Sequence, residues 1–217
     1  MPILPQTLRG FLPCSLYVSA NHGELHAIEP PQPGGSSFGV VSLNESAAAI
    51  GTHAAGREEL AAKTVADAAR LISQNPLSQL RLIVPSGRSG SVSEAGSLAW
   101  LPSARADFSA WCTAIERVAR ADMELVIWPH ASGSISDVPS LQSFLRERGG
   151  RWKFLFDPVA MLTESMLPRQ EDHFDRLFDS LAGHPLAAAA VVDQAVFERA
   201  ESRWQGVALG LLVRRAS

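Results

Sequence analysis

Side chains that are able to bind or transform a ligand come at or just after the ends of apolar segments in this sequence: Trp128, His130, Asp157 and Asp193. A carboxylate that follows an apolar run must be solvated, capped or coordinated, because a charge without a partner is costly in apolar surroundings. Imidazole and carboxylate groups transfer protons and bind metal ions. Asp157, directly after residues 152–156, is the strongest candidate for such a role.

Each of these residues also has a purely structural interpretation. Asp157 is a residue that caps the turn after it, and Asp193 is able to cap a helix that begins near residue 194. A lone histidine such as His130 more often makes a structural hydrogen bond than it acts as a catalyst or ligand. The residues alone leave both alternatives open.

A further candidate is Arg88, in the loop PSGRSGSVSEAG at residues 85–96. Small residues let an anion approach backbone N–H groups, and a guanidinium is well suited to hold it. The loop matches neither the phosphate-binding pattern that ends in Gly-Lys-Ser/Thr nor the GxGxxG fingerprint. A flexible surface loop is the alternative. The sequence also contains no GxSxG or HExxH motif.

The elements that position these side chains follow from the alternation of apolar runs with amphipathic segments. The predicted strands are residues 14–20, 38–43, 80–84, 123–128, 152–156, 186–192 and 207–213. Between them we expect helices with apolar faces, one capped by Asp107, one capped by Asp137 or Ser136, one after Pro168 and a short one at residues 194–204. Residues 22–28 extend a hairpin near the start.

Strands that are apolar on both faces and separated by amphipathic helices predict a parallel sheet covered by helices. An open doubly wound sheet and a closed barrel both satisfy this pattern. In either architecture the ligand site lies at the carboxyl ends of the strands. We therefore expect an α/β protein whose site is built from the loops after residues 84, 128, 156 and 192.

Composition narrows the function classes. The 217 residues fit one domain, and the net charge of −3 provides no basic excess for a nucleic acid or an anionic membrane. The apolar runs are too short to span a bilayer, and the first residues lack the pattern of a signal peptide. Cys14 and Cys112 have no metal-binding spacing; a reducing compartment and one disulfide both remain compatible. We expect a cytoplasmic protein, with homo-oligomerisation left open.

The segment KFLFDPVAMLTESMLPRQEDHFDRLFDSLAGHPLAAAAVVD, with MELVIWPH before it, resembles the xylose-isomerase-like barrels of the sugar phosphate isomerase/epimerase superfamily. The resemblance covers residues 60–193. It implies one TIM-type (β/α) barrel domain over residues 1–217, shortened or incomplete because a full set of eight units usually takes about 250 residues. It also implies a sugar isomerase or epimerase that binds a small carbohydrate-like ligand.

The resemblance further implies a divalent metal such as Mn²⁺ or Mg²⁺, held by acidic and histidine side chains at the strand ends. Asp157, His130 and Asp193 match this pattern, with Asp157 as the candidate metal ligand. Trp128, Ala160 and Val191 stand where the family has Glu, Asn and His. The alternatives are therefore a protein without the metal that binds a ligand or another protein, with Trp128 as a stacking face, or an open α/β domain of unrelated function.

Overall fold

A computed structural model describes residues 13–20, 24–27, 36–40, 57–73, 81–86, 100–193 and 210–214. The strands of these segments are β1 (Pro13–Ala20), β2 (Glu24–Ala27), β3 (Ser36–Val40), β4 (Arg81–Pro85), β5 (Glu124–Trp128), β6 (Trp152–Phe156), β7 (Ala187–Asp193) and β8 (Gly210–Arg214). The α-helices are α1 (Arg57–Ser73), α2 (Pro102–Val118), α3 (Val138–Glu147) and α4 (Gln170–Leu177). A 3₁₀ helix (Glu164–Arg169) precedes α4 and a π-helical turn (Phe178–Ala182) follows it.

The described strands form one sheet that closes on itself. Its order is β2-β1-β3-β4-β5-β6-β7-β8, with a further pairing of β1 to β8. Every neighbouring pair is parallel except β1 and β2, which form an antiparallel hairpin. The pairing of β1 with β8 joins Pro13 and Cys14 to Leu211 and Leu212. The described strands thus form a short TIM-type barrel of seven parallel strands, closed within one chain, and the hairpin strand β2 lies beside β1.

Alternate side chains of the strands enter two separate apolar clusters. One cluster lies inside the barrel and consists of Ile83, Val126, Leu155, Ala189 and Val191, with Trp128 packed against it. The other lies between the sheet and the helices, where it contains residues such as Leu125, Ile127 and Phe154 from the strands. This alternation explains why the strands are apolar on both faces. The part of the interior that β4, β5, β6 and β7 line is a packed apolar core, as barrel interiors of this width usually are.

One helix cap predicted from the sequence is present in the structure, and another is not. Asp137 caps α3: its carboxylate accepts from the backbone N–H of Ser140 at 2.8 Å, as predicted. The prediction that Asp107 caps α2 is wrong, because the helix begins at Pro102 and Leu101 occupies the N-cap. Proline is favoured in the first helical turn, where its missing N–H costs nothing. Asp107 instead accepts a hydrogen bond from Arg57 of α1 at 3.2 Å.

The far ends of the helices are also informative. Gly149 and Gly150, after α3, have φ angles of 57° and 80°, the left-handed region in which glycine is favoured. The buried face of α2 holds Phe108, Trp111, Cys112 and Ile115, as expected, but Val118 at its end is exposed.

No helix among the described segments combines the length and hydropathy needed to cross a bilayer.

Candidate ligand site at the carboxyl ends of the strands

The closed sheet brings the ends of β4, β5 and β6 side by side. Trp128 is the last residue of β5, packs against the interior cluster and is partly exposed. Asp157 follows β6 and is buried, with 1% of its surface exposed. The predicted residues Trp128 and Asp157 therefore meet at the mouth of the barrel, since parallel neighbouring strands end at the same edge of the sheet.

Both carboxylate oxygens of Asp157 accept hydrogen bonds from the protein. The Trp128 indole Nε1–H donates to Oδ2 at 3.0 Å, and the backbone N–H of Ala160 donates to Oδ1 at 3.0 Å. The second bond closes the turn after β6, which is the structural role that an aspartate before Pro158 is suited to. Asp157 thus caps this turn and also fixes the orientation of the Trp128 ring.

His130 lies two residues beyond β5 and is partly exposed. Its Nδ1 accepts from the backbone N–H of Ser132 at 3.1 Å and lies 2.8 Å from the Ser132 hydroxyl. An Nδ1 that accepts places the hydrogen of the neutral imidazole on Nε2. The His130 backbone N–H donates to the carbonyl of Ile135 at 3.1 Å, and its carbonyl accepts from Gly133 at 2.8 Å. These bonds hold the loop after β5 in a compact form.

Backbone hydrogen bonds also connect the loops after the three strands. The N–H of Ser86, just after β4, donates to the carbonyl of Trp128 at 2.9 Å. The N–H of Ala131, in the loop after β5, donates to the carbonyl of Ala160 at 2.7 Å. The end of β4 with Ser86 and the loops after β5 and β6 therefore form one hydrogen-bonded unit around Trp128.

Ser86 and Gly133 contribute to this unit, although the sequence did not single them out. Ser86 is 1% exposed, and its hydroxyl has no hydrogen-bond partner among the described residues. A Cβ atom added to Gly133 would lie 2.1 Å from Ser86 Oγ and 2.9 Å from the Ser86 carbonyl oxygen. Only glycine lets the loop after β5 approach the end of β4 so closely. The sequence feature that indicates this close contact is the presence of small residues after β4 and β5.

Two predicted site residues remain without a described side chain. Arg88 lies outside the described residues. The backbone of Asp193 ends β7, where it pairs in register with Arg214 of β8. This position belongs to the same end of the barrel as Trp128 and Asp157. The roles of Arg88 and Asp193 remain predictions.

The described side chains at this end of the barrel do not fit the divalent metal that the resemblance implies. A Mg²⁺ or Mn²⁺ ion requires several oxygen or nitrogen ligands. No group of three or more His, Cys, Asp or Glu side chains in the described segments is arranged to hold one. The side chains of Trp128, Ala160 and Val191 have no group that ligates such an ion, and of the residues that match the implied pattern only Asp157 and His130 have described side chains. We therefore derive no metal-dependent step for this site.

Comparison with known proteins does not assign this chain to a family. No protein-family model matches the sequence, and no curated protein matches it. Among solved structures, the chain is similar to the Ignisphaera aggregans GH53 catalytic domain, with 13% identity and a TM-score of 0.45. The match covers 83% of this chain and 62% of that chain, so this protein spans less than two thirds of its length. None of these comparisons identifies the xylose-isomerase-like superfamily, and the barrel assignment rests on the closed order of the strands.

Proposed function

We propose that this protein is a divergent sugar-isomerase-like barrel that binds a small sugar-like ligand beside Trp128 and no longer uses metal-dependent catalysis. The observation that carries the proposal is the 3.0 Å hydrogen bond from the Trp128 indole to Asp157. It pairs the carboxylate with an indole, and it orients a rigid aromatic ring where the resemblance implies an acidic ligand.

Chemical complementarity supports a sugar-like ligand. A partly exposed indole whose orientation is fixed offers a flat apolar surface to the C–H face of a sugar ring. Ser132 and His130 provide polar groups in the adjacent loop, and binding sites of this class combine one aromatic wall with a few polar groups. The position also agrees with the general rule that barrels bind ligands at the carboxyl ends of their strands.

The test is a calorimetric titration with D-xylose and D-glucose, once in EDTA and once in MnCl₂. We expect the wild-type protein to bind sugar equally well in both buffers. Trp128→Ala removes the aromatic surface, so its affinity should fall about tenfold, whereas Trp128→Phe keeps a ring and should stay within about threefold of the wild type. Unfolding midpoints of both variants control for loss of the bond to Asp157.

Two results would overturn the proposal. Binding of neither sugar would remove the ligand class. Manganese-dependent interconversion of an aldose and its ketose, abolished in Asp157→Asn, would instead return the protein to the isomerases that the resemblance implies.

A further inference from the structure

Trp100 is a surface residue that is not part of the site proposed above. Its side chain is 50% exposed, whereas Trp111 and Trp152 are buried at 7% and 0%. One exposed apolar residue is ordinary by itself. This indole, however, is held in position, because its Nε1–H donates to the hydroxyl of Ser136 at 3.0 Å. An exposed aromatic ring with a fixed orientation is suited to bind a flat ligand without further loss of side-chain freedom.

Trp100 lies at the same end of the barrel as Trp128. It directly precedes the first turn of α2, the next described helix after β4, and in a barrel such a helix begins at the end where the strands have their carboxyl termini. Its partner Ser136 belongs to the loop after β5 and is joined to Ile135, whose carbonyl accepts from the N–H of His130. Two hydrogen bonds and one peptide link therefore connect the Trp100 ring to His130. The Trp100 indole therefore borders the loop that carries His130 and Ser132.

The size of the apolar surface favours a small ligand over a protein partner. Among the described residues, the exposed large apolar side chains are Trp100, Leu101, Val118 and Leu167. Val118 lies at the opposite end of α2, roughly 25 Å from its start at 1.5 Å per residue, and Leu167 belongs to the 3₁₀ helix after β6. Within the described part of the chain, only Trp100 and Leu101 of these four are neighbours in sequence, and two side chains provide less area than the several hundred Å² of a protein-binding patch.

We infer that Trp100 is an outer stacking subsite and that the ligand is a saccharide of at least two rings, the first beside Trp128 and the second on Trp100. The inference rests on the proposed sugar site. The π-face of an indole packs against the C–H face of a sugar ring, while hydroxyls such as that of Ser136 border the ring with polar groups. A ligand with one ring would leave the Trp100 face unused.

The test compares each monosaccharide with its disaccharide by calorimetry: D-glucose with cellobiose, and D-xylose with xylobiose. We expect the wild-type protein to bind at least one disaccharide about three- to tenfold more tightly than its monosaccharide. Trp100→Ala should abolish that preference and leave monosaccharide affinity unchanged. Trp100→Phe, which keeps a ring, should retain part of the preference. Leu101→Ala, at the adjacent exposed residue, should retain all of it.

Different results of these titrations would overturn the outer subsite alone or the proposed sugar site as well. Equal affinity for one and two rings would overturn the outer subsite and leave the sugar site intact, whereas binding of none of the four sugars would overturn both. Equal losses for both ligand lengths in Trp100→Ala, together with a lower unfolding midpoint, would make Trp100 a structural residue. Self-association by sedimentation velocity that Trp100→Ala abolishes would assign this surface to a second copy of the chain.

Discussion

Asp157 has a structural role at a position for which the resemblance implies a metal ligand. It occupies a site that the resemblance associates with a metal, yet its two oxygens accept from Trp128 and Ala160 at 3.0 Å each. Burial at 1% exposure makes these bonds important, because buried polar groups without partners are costly. We therefore expect Asp157 to contribute substantially to the free energy of unfolding.

We expect Asp157→Ala to lower the free energy of unfolding by about 2–4 kcal/mol, since it leaves the buried Ala160 N–H and the partly buried Trp128 indole N–H without this acceptor. Asp157→Asn keeps an acceptor oxygen and should cost about half as much. Urea unfolding followed by circular dichroism measures both. A loss below about 0.5 kcal/mol in Asp157→Ala would show that the turn after β6 forms without this cap.

Gly133 carries a second prediction at this scale, because a Cβ atom there would collide with Ser86. Gly133→Ala should destabilise the protein by about 1–3 kcal/mol through overpacking. Ser86→Gly should restore part of this loss when it is combined with Gly133→Ala, since it removes the two nearest side-chain atoms and leaves the carbonyl contact. Additive losses in the double variant would contradict the close approach of the two segments.

At the scale of secondary structure, Arg148 joins the end of α3 to α2. Its guanidinium donates to Thr113 Oγ1 at 2.9 Å and to the Ser109 carbonyl at 2.8 Å, and it pairs with Glu116 at 3.3 Å. It also lies over the Phe144 ring, 5.4 Å from the centroid. Glu116 in turn accepts from the indole of Trp152 in β6. This network joins two neighbouring helices and a strand.

We expect Arg148→Ala to lower the free energy of unfolding by about 2–4 kcal/mol, because the partly buried Glu116 loses its partner. Arg148→Lys should recover little, since an ammonium group lacks the planar fork that reaches several acceptors. Arg117→Ala is the matched control: its pair with Glu58 has exposures of 66% and 75%, so its loss should stay below about 0.5 kcal/mol. Equal losses at positions 117 and 148 would contradict the network.

For the molecule as a whole, stability depends on the apolar layer between the closed sheet and the helices. Cys112 lies in this layer at 0% exposure. Burial raises the pKa of the Cys112 thiol far above its usual value, and the nearby Arg148 only partly opposes that effect. The thiol therefore stays protonated in the folded protein at every pH at which the fold is ordinarily studied.

This burial predicts a specific pH dependence. Above pH 9.0, the ordinary thiol pKa, Cys112 ionises in the unfolded chain but not in the folded one. Its contribution is thus fully present below that pH, and the free energy of unfolding should fall by up to about 1.4 kcal/mol per pH unit above it. Cys112→Ala should lack this part of the slope in urea unfolding between pH 8 and 11. Parallel curves for the two proteins would show that the thiol has access to water.

Much of the fold followed from sequence patterns. The apolar runs predicted all seven of the described parallel strands to within about three residues at each end, and Asp137 was among the residues predicted to cap α3. These features are local, since they depend on hydrophobic period, side-chain capping and backbone conformation. The start of α2 was harder, because Asp107 and Pro102 are both good first-turn residues and the contact with Arg57 lies 50 positions away in sequence.

Sequence patterns were thus sufficient to predict an α/β chain of alternating elements with a ligand site at the carboxyl ends of its strands. Three-dimensional packing was needed to establish that the sheet closes through β1 and β8, that Trp128 donates to Asp157, and that Gly133 packs on Ser86. Closure and these contacts join residues that are distant along the chain, so no local period or cap encodes them. They arise when right-handed crossovers and a packed interior bring the strand ends together.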